Sequence, residues 1–226
     1  MKTSTFFVTA AILSAFSILT AGNLKLKNEF SSGHIHDAFV KTTLPPFHYI
    51  AETLHKDEAG SRHFRISDSI PAESSMRVFF GDMGSFRFKV VNDTLFLYSN
   101  PSLETNRGYS SPVYINTSGL KSLKSSFGNY TVLQNHNDSL SIDAAGKSKI
   151  VLQVSQMNYL AVNGSANAGV SLNATDTVGS VSVRIKNNSC FYADNVSIKQ
   201  KNIKLSDQAS LQLSGISLAD FGLKNE

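Results

Sequence analysis

The stretch from Leu140 to Ser214 carries nearly the same pattern four times. Each repeat holds an apolar–x–apolar pair, a small polar spacer and a second such pair, and repeats start 20, 21 and 22 positions apart. The pairs are Leu140/Ile142 with Ile150/Leu152, Leu160/Val162 with Val170/Leu172, Val181/Val183 with Phe191/Ala193, and Ile203/Leu205 with Leu211/Leu213. Alternation with a period of two predicts strands with one buried face. Recurrence at a fixed period of this length predicts a solenoid.

A single repeat cannot bury its apolar edge alone, so we expect neighbouring repeats to stack. Stacking places Leu140 against Leu160 and Leu160 against Val181, with a rise of about 4.8 Å per rung. Parallel connections of this kind are overwhelmingly right-handed. The sequence therefore predicts an all-β, right-handed parallel β-helix with rungs of about 20–22 residues. The last spacer is two residues shorter, which predicts a tighter final rung.

An antiparallel β-sandwich is the alternative architecture, because its strands also recur every 8–12 residues or so. A sandwich is expected to contain tight Asn-Gly or Asp-Gly hairpins throughout. Only Asn163–Gly164 fits that requirement. The β-helix is therefore favoured.

The N-terminal residues 1–21 have the form of a secretory signal peptide. Lys2 precedes an apolar run from Phe6 to Ala21, and Ala21–Gly22 is a suitable cleavage point. An uncleaved anchor is the alternative, although the run is shorter than the ~20 residues that span a bilayer. Export predicts a location in the periplasm or at the cell surface, with membrane attachment only if the segment stays uncleaved.

The remaining chain divides into a polar linker at 22–46, a β-helix domain at 47–218 and a C-terminal tail at 219–226. The first part of the domain is rich in aromatic residues, which we expect to close one end of the solenoid. The tail breaks the repeat pattern and is expected to cap the other end. The aromatic residues concerned are Phe79, Phe80, Phe86, Phe88 and Phe96.

The chain resembles the exported head GIN domain family of Bacteroidota, whose members carry the label of auto-transporter adhesins. The resemblance covers roughly residues 47–215. It rests on a Pro-Phe-x-x-Ile motif ending at Ile50, an Asn-Asp-Thr-Leu strand at 92–95, and the rungs that follow. It implies a β-helical fold and a cell-envelope location, and it carries over no catalytic residue. The polar region at 53–75 is longer than the family pattern.

Neither catalysis nor a resident metal or cofactor is indicated by the sequence. The single Cys190 excludes an internal disulfide and a Cys-rich zinc site, and we expect it to be a small buried thiol. His34 and His36 with Asp37 form the sharpest metal-like motif, but they lie in the predicted linker and a site needs further ligands. His136 and Asp138 fall in a predicted bend, where such residues serve the backbone.

The outward positions of the first strands also argue against an enzyme of the pectate-lyase type. Carboxylates do not follow one another from rung to rung, so neither a calcium site nor a paired-carboxylate glycosidase site is predicted. Stacking places Arg184 above Asn163, and Lys204 above Ser182 or Arg184. The outward residues are Ser141/Asp143, Ala161/Asn163, Ser182/Arg184 and Lys204/Ser206.

The last two rungs are basic, and two interpretations of this patch stay open. It either binds an anionic glycan or lipid headgroup, or it is a solvated edge that discourages stacking onto another chain. Nucleic acid is not expected as a partner, because no aromatic stacking platform accompanies the basic residues. The five residues of this predicted patch are Arg184, Lys186, Lys199, Lys201 and Lys204.

Two functional hypotheses follow from these features. The first is a non-enzymatic, exported β-helix module that serves as a scaffold or as an adhesin-like binder of an envelope glycan or protein. The second is a small carbohydrate-active enzyme, a lyase or a hydrolase, built on the same fold. Adjacent acidic residues in a groove would favour the second hypothesis.

Overall fold

The computed structural model describes residues 39–53, 63–68, 73–79, 82, 86–99, 111–134 and 138–220. The predicted signal peptide and the motif of His34 and His36 lie outside the described residues. Within these ranges the chain forms short strands and one five-residue helix, α1 (Ile216–Asp220). The strands are β1 (Phe39–Thr43), β2 (Tyr49–Thr53), β3 (His63–Asp68), β4 (Ser75–Phe79), β5 (Phe86–Val91), β6 (Thr94–Ser99), β7 (Val113–Thr117), β8 (Ser122–Ser125), β9 (Asn129–Gln134), β10 (Ser139–Ala144), β11 (Lys149–Val154), β12 (Met157–Gly164), β13 (Gly169–Ala174), β14 (Val178–Ile185), β15 (Cys190–Asp194), β16 (Ile198–Leu205) and β17 (Ser210–Ser214).

These strands form two sheets, which we call sheet A and sheet B. Sheet A has nine strands in the order β1-β4-β7-β3-β9-β11-β13-β15-β17, and sheet B has eight in the order β16-β14-β12-β10-β8-β2-β6-β5. Pairing is parallel except at one end, where β1–β4, β4–β7 and β5–β6 are antiparallel. The inward side chains of both sheets share one hydrophobic core. The predicted all-β parallel solenoid is confirmed.

The apolar columns follow the predicted register through the first three repeats. Leu140 lies beside Leu160, and Leu160 lies beside Val181. On sheet A, Val170 lies beside Phe191. All five side chains are at most 2% exposed, so the columns form the centre of the core.

The final rung differs from the prediction by two residues. Val181 pairs with Lys201 rather than Ile203, and Val183 pairs with Ile203. Lys201 therefore occupies a position in the apolar column, and its Nζ donates to the backbone oxygen of Asp220 in α1. The bend at 206–209 has the same length as the bend at 186–189, so the expected tighter rung is wrong.

Small polar residues form the four-residue bends between sheet B and sheet A, as predicted. Most of the central residues have positive φ, a backbone conformation that asparagine and glycine tolerate best. Buried serines line the inner side of two bends: Ser148 Oγ donates to the oxygen of Ala145 at 2.8 Å, and Ser189 Oγ accepts from the nitrogen of Ala168 at 3.1 Å. The residues with positive φ are Gly146, Ala166, Asn167, Asn187, Asn188, Asp207 and Gln208.

Three further rungs precede the repeats, and they do not follow chain order. The β2/β3 rung lies between the β6/β7 rung and the β8/β9 rung. Backbone hydrogen bonds hold this rung on both sides: His48 accepts from the nitrogen of Lys121 at 2.7 Å, and Tyr49 donates to the oxygen of Asp93 at 3.2 Å. The middle rung is therefore clamped by segments that come later in the chain.

The N-terminal end of the domain differs from the prediction. Strand β1 lies inside the predicted linker at 22–46 and pairs with β4, so β structure starts before Phe47. Of the aromatic residues expected to close that end, Phe88 packs against the core. Phe79 instead lies on the outward side of its strand and meets Phe39 at 5.9 Å between ring centroids. At this end, one of these aromatic side chains therefore packs in the core and another lies on the outward face of its strand.

Helix α1 caps the last rung, and of the tail at 219–226 that was expected to do so, residues 221–226 lie outside the described residues. Ser217 Oγ accepts from the nitrogen of Val196 at 2.8 Å, and Asp220 Oδ2 accepts from the nitrogen of Ile198 at 2.7 Å. These contacts satisfy backbone groups that would otherwise be left open at the end of the solenoid. No helix in the described part of the chain is long and apolar enough to cross a membrane.

Candidate binding face on sheet B

The outward face of sheet B is a set of polar ladders, because every second residue of each strand points away from the core. One ladder consists of small polar residues and the next one carries charges. The small ladder is Ser122, Ser141, Ala161, Ser182 and Asn202. The charged ladder is Lys124, Asp143, Asn163, Arg184 and Lys204.

Asp143 is engaged by its neighbour in the charged ladder. Asn163 Nδ2 donates to Asp143 Oδ1 at 2.8 Å, across adjacent strands β10 and β12. The carboxylate therefore has an amide as its close partner on that side. The predicted position of Arg184 beside Asn163 is confirmed, and of the two predicted positions for Lys204 the one beside Arg184 is observed.

A groove of about 460 Å³ runs along the solenoid axis beside the charged ladder, and we call it the axial groove. It spans four rungs at the point where the strands of sheet B end. Small residues at this corner leave the space open, since they carry almost no side chain. The lining residues are Lys124, Ser125, Ser126, Asp143, Ala144, Ala145, Asn163, Gly164, Ser165, Arg184 and Lys186.

A second, smaller hollow of about 210 Å³ lies on the other side of the charged ladder, and we call it the edge hollow. Tyr159 forms one wall, and its side chain is 45% exposed. Asn163 and Arg184 line both the axial groove and the edge hollow. These two side chains therefore form a ridge between the two depressions. The edge hollow is lined by Tyr159, Ala161, Asn163, Ser182, Val183, Arg184, Asn202 and Lys204.

Charge on this face is predominantly positive. Within the described ranges, no carboxylate lies in ion-pair contact with Arg184, Lys186 or Lys204. Elsewhere in these ranges Lys41 meets Glu73 at 2.9 Å and His48 meets Asp93 at 2.8 Å. The cations of the binding face are thus available to a ligand.

The predicted basic patch separates into two groups in the structure. Arg184, Lys186 and Lys204 surround the axial groove and the edge hollow. Lys199 lies five residues before Lys204 on the edge strand β16, about 16 Å away along the strand. Lys201 is held by α1. Three of the five residues therefore share one surface.

Two contributors to the face were not identified from the sequence. Lys124 lies on the short strand β8, between Leu123 and Ser125. This strand has one apolar residue where the later repeats have an apolar pair. Tyr159 precedes the apolar pair of its repeat and therefore lay outside the segment used to define the rung. Extending each repeat by one outward position would have found Tyr159, and continuing the pattern one rung towards the N-terminus would have found Lys124.

The outward face of sheet A is less charged around its own depression. A hollow of about 440 Å³ is lined by neutral residues, among them Leu133, Gln153 and Asn173. Cys190, expected to be buried, is half-buried on this face beside Gly169, because it occupies an outward position of β15. An anionic ligand would find no guanidinium or ammonium group among the lining residues of this hollow.

Asp138 lies in a bend directly before β10, as predicted, but its carboxylate bonds a side chain of the next rung and not the backbone. Its main-chain oxygen accepts from the nitrogens of Asn158 and Tyr159 at 3.0 and 2.9 Å. Its carboxylate accepts from Asn158 Nδ2 at 3.1 Å. His136 lies outside the described residues. In the described ranges, no group of three or more His, Cys, Asp or Glu side chains is close enough to hold a metal ion.

Glu52 is a buried carboxylate that the sequence analysis did not single out. Its side chain is 4% exposed and accepts from Ser125 Oγ. Burial raises the pKa of Glu52, and the neighbouring hydroxyl groups of Ser125 and Tyr130 and the N–H groups of Ser126 and Gly128 oppose that rise. Because these N–H groups belong to the bend between β8 and β9, we interpret Glu52 as a structural support for that bend.

No family model matches the chain, and no curated protein matches it. Similar solved structures include a putative adhesin from Bacteroides fragilis, with 14% identity, a TM-score of 0.46, and coverage of 77% of this chain and 95% of that chain. A putative adhesin from Parabacteroides distasonis has 13% identity and a TM-score of 0.41, with coverage of 77% and 95%. A putative lipid binding protein from Parabacteroides distasonis has 12% identity and a TM-score of 0.38, with coverage of 78% and 97%. Membership of the head GIN domain family stays a prediction.

Proposed function

We propose that the protein is a non-enzymatic binding module of the cell envelope that holds an extended glycan on the outward face of sheet B. The observation that carries this proposal is the ridge of Asn163 and Arg184 between the axial groove and the edge hollow. Amide, hydroxyl and guanidinium groups converge there beside the exposed ring of Tyr159. Such groups provide the hydrogen bonds and the apolar ring face that a sugar unit requires.

The geometry of the solenoid favours a polymer over a single small molecule. Outward groups recur once per rung, about 4.8 Å apart along the axis. The axial groove crosses four successive rungs and each rung contributes at least one polar or charged side chain to its lining, so an extended chain meets a hydrogen-bonding group at each step. A glycan running parallel to the axis therefore fits this face better than a compact ligand.

The carbohydrate-active enzyme is the second candidate, and the lining of the groove favours binding instead. Glycoside hydrolysis commonly uses two carboxyl groups about 5–9.5 Å apart. Asp143 is the one carboxylate among the lining residues of the axial groove, and the edge hollow has none among its lining residues. Because Asp143 is already engaged by Asn163, we expect it to position ligand hydroxyls.

The decisive experiment is a glycan array followed by titration calorimetry and turnover assays on the same sugars. Replacing Asn163 or Tyr159 by alanine should weaken binding at least about five-fold, since each variant removes a hydrogen-bonding or ring contact of roughly 1 kcal/mol. Asn129→Ala, on the outward face of sheet A, is the matched control and should bind within about two-fold of the unmodified protein. Turnover that disappears in Asp143→Ala would instead support the enzyme.

A further inference from the structure

We infer that the glycan bound by this face is anionic, a polymer with uronate carboxylates, and that Arg184 recognises the carboxylate with Lys186 and Lys204 beside it. This inference rests on the proposed function and names its ligand class. It goes beyond a generic basic surface, because it assigns the recognition to three of the described basic residues and excludes others nearby.

Two like charges face each other directly on neighbouring strands of sheet B. Arg184 and Lys204 are register partners on neighbouring strands β14 and β16, which are about 4.8 Å apart. Like charges in directly opposite positions of a sheet destabilise it. Within the described ranges no carboxylate compensates either side chain. A carboxylate of the ligand placed between them would remove this repulsion.

The order of residues along the charged ladder favours Arg184 as the position of the carboxylate. Lys124 and Asp143 are register partners, and Asn163 separates Asp143 from Arg184. An acidic sugar bound at Arg184 would therefore place the hydroxyl groups of the next sugar unit beside the amide of Asn163. The negative charge of Asp143 would lie one rung further away. A guanidinium group binds a carboxylate with two parallel hydrogen bonds, which makes Arg184 the recognition residue.

Two other basic residues of the predicted patch do not take part in this site. Lys201 is held by the backbone of Asp220, and Lys199 lines neither the axial groove nor the edge hollow. Lysine on an exposed edge strand is a common device against pairing with another chain. Lys199 thus carries the same charge on the same strand as Lys204 but lines neither depression, and it provides a matched control.

The test measures binding of the full mature chain to two uronate oligomers, oligogalacturonate and oligomannuronate, and to the methyl ester of each. Affinity for a free acid should exceed that for its ester by at least about ten-fold, and it should fall as salt rises from 50 to about 300 mM. Arg184→Gln should lose about ten-fold or more and Lys204→Gln about three-fold. Lys199→Gln should stay within about two-fold. Thermal melting of each variant confirms that it is folded.

Three results would contradict the inference in different ways. Equal affinity for acid and ester, with continued dependence on Tyr159 and Asn163, would overturn the anionic ligand and leave the proposed function intact. Equal losses for Lys199→Gln and Lys204→Gln would indicate general attraction of charges and overturn the assigned site. Binding of neither uronates nor any glycan of the array would overturn both the inference and the proposed function.

Discussion

Ile185 lies directly above Gly164 in the next rung, and a Cβ added to Gly164 would be only 2.6 Å from Cδ1 of Ile185. Both residues are buried, and Gly164 forms part of the floor of the axial groove. The absence of a side chain at Gly164 thus gives Ile185 its space in the core.

Gly164→Ala should destabilise the protein by about 1–3 kcal/mol, because the added methyl group overpacks this contact. Ile185→Val removes the atom that clashes and by itself should cost about 0.5–1.5 kcal/mol. The double variant should be more stable than the sum of the single effects predicts, since the two residues are in contact. Urea unfolding of the four proteins measures this coupling. Strict additivity would show that the contact is not formed.

A second prediction compares the stability cost of the same substitution at an inward and at an outward position of strand β12. Leu160→Asp should cost more than about 3 kcal/mol, because Leu160 is fully buried between rungs and the carboxylate would have no partner. Ala161→Asp, at the next and outward position, should cost less than about 1 kcal/mol. Equal midpoints of urea unfolding for the two variants would contradict the observed register.

Glu52 predicts a specific dependence of stability on pH. Because burial raises the pKa of Glu52 above its value in the unfolded chain, the folded protein takes up the proton more readily. Its contribution to stability is therefore fully present below the unfolded pKa and is lost as pH rises through the folded pKa. Glu52→Gln cannot titrate, so its stability relative to the unmodified protein should increase between pH 4 and pH 7.

Glu73 offers the control for this experiment, because its environment shifts the pKa in the opposite direction. Hydrogen bonds from Lys41 and Thr43 and the charge of Lys41 lower the pKa of Glu73. Glu73→Gln should therefore lose stability relative to the unmodified protein as pH rises. Denaturant unfolding at several pH values checks both slopes. A common slope for the two variants would mean that Glu52 is not desolvated.

The N-terminal sequence predicts the form of the mature protein. The apolar run at Phe6–Ala21 should be removed on export, leaving Gly22 as the first residue. N-terminal sequencing of the protein recovered from the cell-envelope fraction tests this expectation. Recovery of Met1 from that fraction would show an uncleaved anchor.

Sequence reasoning was sufficient for the first three repeats, from Leu140 to Ala193, because each residue of those columns pairs with one about twenty positions away. It slipped by two residues at Lys201, since a pattern defined by apolar residues passes over a lysine whose end group is held by Asp220. Of the two positions predicted for Lys204, above Ser182 or above Arg184, the second is the one observed. Glu52 was missed, because an inward carboxylate near a strand end looks like an ordinary surface residue in the sequence.

The spatial order of the N-terminal rungs could not be predicted from the sequence, for a different physical reason. Tyr49 pairs with Thr94 on one side and with Ser122 on the other. These separations along the sequence do not match the period of the repeat. Chain order and spatial order differ there, and a pattern with a fixed period contains no information about such an exchange.

The position of the β2/β3 rung has a consequence for how the protein acquires its structure. The rungs from β10 to β17 join neighbours in sequence, so each can form as soon as its own segment is available. The β2/β3 rung gains its second partner only when β8 and β9, which end at Gln134, are in place. Closing so long a loop carries a larger entropic cost than adding a rung from adjacent sequence. The β2/β3 rung should therefore be among the last parts of the fold to become protected, although it comes early in the chain. A chain interrupted before Gln134 would expose it to proteases and to other unpaired strands.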